Sequence, residues 1–139
     1  ANDGDVTTTP IRVALVGATY TPSVAHSLWS QVSASELGTT NTGYTAGGMT
    51  VSAPVLTDIT AGVKFSSDAT GGLVWTAGSA NLPTWKYAVF HMVGTIAGRV
   101  NPVIGYFEGE SGGTVPETTN TNTLTITCPA GGWFDITHA

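Results

Sequence analysis

Charge is what this sequence has least of: 9% of its residues are Asp, Glu, Lys or Arg, where an ordinary globular protein carries about a quarter. Helix surfaces normally bear long charged side chains, so their scarcity argues against a helical protein. Cations are scarcest. Only Arg12, Lys64, Lys86 and Arg99 are basic, they are scattered, and the net charge is −5. With no basic stripe to neutralise a phosphate backbone, no nucleic-acid partner is expected. So few cations also give little attraction for an anionic membrane surface, and no apolar run approaches the roughly 20 residues that span a bilayer. The opening ANDGDVTTTP lacks the basic stretch and apolar core of a signal peptide. It fits a mature terminus, left by removal of an initiator Met or by processing. Cysteine is down to Cys128 alone, which excludes an intrachain disulfide and reads as a small buried hydrophobe. The chain is therefore expected to assemble in a reducing cytoplasm rather than as a stapled secreted module.

What fills the space is Thr, Ser, Gly, Asn and Ala. With 18 Gly and 7 Pro among 139 residues, abundant Thr and Val point to strands joined by turns in one domain. Strand patterns recur at Ile11–Gly17, Met49–Thr57, Gly62–Ser67, Gly72–Gly78, Trp85–Gly94, Pro102–Gly109, Asn122–Pro129 and Gly132–His138. Pro54 makes the second an edge strand or bends it. WKYAVFHMVG, Trp85–Gly94, is apolar almost throughout, as a strand buried on both faces should be. In TPSVAHSLWSQV, Val24, Leu28 and Val32 fall four apart behind Ser23, which predicts one amphipathic helix of two to three turns. Glu108–Asn122 reads as a long polar loop. The expected fold is all-β, a single-domain sandwich or jelly-roll-like barrel of about eight strands with one short helix. The β domain spans residues 11–139, behind a flexible N-terminal arm of residues 1–10 that orders against something else.

The search for chemistry returns little. TGYTAGGMTV, Thr42–Val51, has the glycines of a phosphate loop but no following Lys and no helix to receive the anion. Its paired glycines read instead as a turn, with Tyr44 packed against the end of the barrel. His26, His91 and His138 have no ligand-spaced companions, and NDGD (Asn2–Asp5) lacks the Glu that closes a calcium loop. No G-x-S-x-G elbow is present, and Glu108 and Glu110 sit in a glycine-rich loop rather than flanking a cleft. No catalytic, cofactor or metal residues are assigned, and the chain is not expected to be an enzyme. Trp75, Trp85 and Trp133 fall in strand patterns and are expected in the core.

Several stretches taken together carry a resemblance. TTTPIRVALVGATYTPSVAHSLWSQVSASELGTTNTGYTAGGMTV, then VWTAG, KYAVF, NPVIGYFE and NTLTITCPAGGWFDIT, resemble in order and spacing a family of small tailed-phage virion proteins. The likeness runs from Thr7 to Thr137. It departs from the family in the short segment before Ile11 and in a helix region that is less acidic. What the resemblance implies is a structural protein of the particle: a head decoration (cement) protein on the phage head surface, made in the host cytoplasm. Its partner would be the major capsid protein, its assembly a homotrimer, and its contact residues the arm Asp5, Val6, Thr7, Thr8, Thr9 and Pro10. The alternative within the same resemblance is a tail or fibre module that binds a host receptor or a glycan through exposed aromatics such as Trp29 or Tyr44.

Overall fold

The computed structural model describes residues 9–67 and 72–137. The described fold is all-β, with antiparallel pairing throughout. Its strands are β1 (Ile11–Val16), β2 (Met49–Thr50), β3 (Val55–Ile59), β4 (Gly62–Ser66), β5 (Leu73–Thr76), β6 (Tyr87–Met92), β7 (Thr95–Ile96), β8 (Arg99–Val100), β9 (Val103–Glu108), β10 (Thr123–Ile126) and β11 (Phe134–Thr137). Eight of these have four to six residues and coincide with the eight strand patterns of the sequence. No helix among the described residues is long and apolar enough to cross a membrane.

The central sheet runs β2-β1-β6-β9, and its middle pair is buried on both faces because IRVALV and YAVFHM offer apolar side chains to each side. On one face Ile11, Val13, Leu15, Ala88 and Phe90 pack toward the sheets β11-β4-β3 and β10-β5. On the other, Ala14, Val16, Tyr87 and Val89 pack under Tyr20, Trp29 and Val32 from the segment that follows β1. Strand alternation thus gives one sheet two cores. Trp75 and Trp85 are buried in the first, as expected, and Trp133 packs half-buried against it. Cys128 is buried.

Two expectations change. The single strand expected over Met49–Thr57 divides at Ala53–Pro54 into β2 and β3, which belong to different sheets. Ala53 adopts φ +47° there, and Pro54 supplies no amide to continue a ladder. The helix expected over Ser23–Val32 is reduced to two single 3₁₀ turns, Trp29–Gln31 and Ser33–Ser35. Val24, assigned to its buried stripe, is fully exposed. The segment's backbone is held from outside instead. Trp29 N–H donates to the Asn101 carbonyl at 2.9 Å, and Leu28 bridges to Pro102. The Gln31 side-chain oxygen accepts from the amides of Ser27 and Leu28, both at 2.9 Å, which caps the chain where a longer helix would continue.

Candidate functional site

Pairing along the outer edge of β1 is broken in the middle. Its start pairs with β2, and its end meets the segment around Glu36, where Gly17 N–H donates to Ser35 and Leu37 N–H donates to Leu15. The Leu15 amide between them has no strand opposite. Tyr44 fills the gap: its hydroxyl oxygen accepts from Leu15 N–H at 3.0 Å and its proton goes to Glu36 Oε1 at 2.7 Å. Burial pushes the Tyr44 hydroxyl well above its ordinary range, and the Glu36 carboxylate adds to it. The tyrosine stays a neutral donor.

The glycines beside it are fixed by the same cluster. Glu36 also accepts the amide of Gly47, Arg12 donates to the Gly48 carbonyl, and His91 Nε2 lies 3.0 Å from the Gly47 carbonyl. A carbonyl only accepts, so Nε2 carries the proton. Gly48 N–H is taken by the Thr45 carbonyl at 2.9 Å. The loop therefore turns carbonyls toward its two basic neighbours and has neither glycine amide free for an anion. It is a structural turn, as its sequence suggested, and no phosphate cradle. Gly48 has φ +82°, and a Cβ there would be driven into the Val13 carbonyl. Only glycine lets the loop lie this close to β1.

His91 is 3% exposed and lies under Trp29, the rings stacked 4.4 Å apart at 7°. Burial lowers its pKa from the ordinary 6.5; Arg12 adds to the lowering, while the carbonyls of Gly47 and Met92 and the Glu36 carboxylate oppose it. Neither this histidine nor Tyr44 is open to a substrate. Among the described residues no three His, Cys, Asp or Glu side chains gather as a metal site.

Of the arm expected to make contacts, Asp5, Val6, Thr7 and Thr8 lie outside the described residues, as do Asn2–Asp5 and His138. Thr9 is buried, and Pro10 is exposed with its carbonyl accepting from Val93 N–H at 2.9 Å. The aromatics named for a glycan face, Trp29 and Tyr44, are both buried and committed to the network above. They offer no sugar platform.

The surface carries an uncharged apolar patch that no sequence pattern marked. Pro22, Ser23, fully exposed Val24 and Tyr106, 53% exposed, line one shallow hollow. Behind them Tyr106 meets Tyr87 edge-on at 5.5 Å, Tyr87 meets Tyr20 at 5.9 Å, and the Tyr20 hydroxyl lies 3.1 Å from His26 Nδ1. Burial raises the Tyr20 pKa, with Tyr106 and Tyr87 contributing, so Tyr20 stays neutral. Helical spacing had placed Val24 inside, and only its neighbours in space reveal the patch.

The chain matches no protein-family model, no curated protein and no solved structure.

Proposed function

We propose that this chain is a capsid decoration (cement) protein that binds the outer surface of a phage head and stabilises contacts between major capsid subunits as a homotrimer. The observation that carries the reading is the patch of Pro22, Ser23, Val24 and Tyr106, where a large aliphatic side chain stands wholly in solvent beside an aromatic ring that meets Tyr87 edge-on. Among the exposed aliphatic side chains of the described residues Val24 is the most exposed, and beside half-exposed Tyr106 it offers an apolar face for another protein. The motif order from Thr7 to Thr137 supports the same reading, and so does a charge-poor surface suited to lying flat against a shell. Burying one valine contributes about 1.5–3 kcal/mol. Three copies acting together turn such modest contacts into firm attachment.

Attachment of purified protein to phage heads prepared without it tests the proposal. Saturable binding to heads, with affinity changing less than about threefold between low and high salt because the patch is uncharged, is the expected result. Absence of binding to heads, with selective binding to host cells or a glycan array, would transfer the chain to the tail or fibre alternative.

A further inference from the structure

Two sheets end beside each other without joining. β9 is the last strand of the central sheet and β11 the last strand of its three-stranded neighbour. Among the described residues no backbone ladder links them, but a cavity of about 330 Å³ lies between. Phe90 forms its floor, Gly105 and Phe107 its β9 wall, and Trp133, Phe134 and Asp135 its β11 wall. A second hollow of about 230 Å³ adjoins through the shared Phe107 and Trp133. The rings are braced on one another, with Phe90 at 5.3 Å from Trp133 and 6.1 Å from Phe134.

Gly105 holds this cleft open. It has no positive φ, and a Cβ added to it would meet nothing within 4 Å. The β6–β9 register shifts here, Phe90 facing Gly105 and His91 facing Val103, so Ile104 is the extra residue of a bulge and Gly105 sits beside it with open space above its Cα. Glycine beside a bulge eases the bend, and its missing side chain also leaves room for another backbone to come near. The β9 edge is ready for one. Gly109 N–H donates to the Lys86 carbonyl at 2.8 Å, so by alternation the N–H and C=O groups of Tyr106 and Glu108 point away from β6. Among the described residues they have no backbone partner.

We infer that the cleft between β9 and β11 accepts an extended peptide segment of a partner protein, which adds a strand to β9 and lays alternate apolar side chains over Gly105 and Phe90. Such strand addition takes affinity from main-chain hydrogen bonds and specificity from the pockets beneath. The segment carries a Lys or Arg, because the exposed Asp135 at the rim makes no ion pair among the described residues, not even with its cross-strand neighbour Lys64. A sugar is disfavoured: among the described residues Asp135 is the one charged side chain lining the cleft, and several converging polar groups are needed to fix hydroxyls. The inference stands apart from the decoration reading, since the strand can come from any partner.

The test is selection of phage-displayed random decapeptides on the full chain, followed by titration of the enriched peptides as synthetic probes. Enrichment of peptides with alternating apolar residues and one Lys or Arg is expected. Gly105→Val should fold with an unchanged or higher Tm and bind these peptides at least tenfold more weakly. Asp135→Asn should weaken them severalfold, and the Tyr106 and Glu108 amides should exchange hydrogen at least tenfold more slowly when the peptide is bound. No enrichment above background, equal binding to Gly105→Val, or a cleft that binds oligosaccharide probes instead would overturn the inference.

Discussion

The indole of Trp29 lies flat on the imidazole of His91, centroids 4.4 Å apart, while the same imidazole faces the Gly47 carbonyl through Nε2 at 3.0 Å. This pairing joins the outer layer to the central sheet and has a consequence for acid stability. Burial lowers the His91 pKa below its ordinary 6.5, with Arg12 also disfavouring the charge. The unfolded chain therefore takes up a proton before the folded one does, and stability falls as pH drops below about 6.5. Thermal melts from pH 7 to pH 5 should show Tm declining in the wild type and declining less in His91→Gln. Parallel declines would contradict this role for His91.

Tyr44 stands in for a missing strand at Leu15. Tyr44→Phe removes the acceptor of a buried amide and one donor to Glu36, a loss of about 1–3 kcal/mol. Denaturant midpoints should fall accordingly with an unchanged m-value. A variant as stable as the wild type would show that water replaces the hydroxyl.

Gly48 and Gly38 make a matched pair. Gly48→Ala drives a methyl group into the Val13 carbonyl at φ +82°, whereas a Cβ on Gly38 meets nothing within 4 Å and its φ is not positive. The first substitution should cost more than about 3 kcal/mol or prevent folding, and the second should lie within about 1 kcal/mol of wild type. Urea unfolding of both compares them directly.

Val24 is fully exposed, so Val24→Ser should leave Tm unchanged. The decoration proposal requires that it weaken attachment to heads by about tenfold or more, the transfer free energy of one valine being above about 1.4 kcal/mol. Undiminished attachment would move the contact away from this patch.

The strands were legible because alternation and apolar runs survive in a charge-poor sequence; the apolar run Trp85–Gly94 marked a doubly buried strand, and β6 lies within it at Tyr87–Met92. The β7–β8 hairpin was not. Its turn is Ala97–Gly98, both at positive φ, and alanine conceals the Asn-Gly or Asp-Gly signal such turns usually show. The helix over Ser23–Val32 was misread because spacing by four says nothing of Asn101 and Pro102, which hold that segment from far along the chain. Arg12, Glu36, Tyr44 and His91 come together from four separate segments, so no local spacing announced them. The glycine loop could be read as a turn, since the missing lysine is a local fact. The closeness of Gly48 to Val13 could not.

The central claim is that this chain coats a phage head, and a cryo-EM map of the virion with the chain placed and counted tests it most directly. Hundreds of copies in trimers over the head, with Val24 and Tyr106 against the major capsid protein, are the expected result. A few copies confined to the tail, or none on the particle, would contradict it.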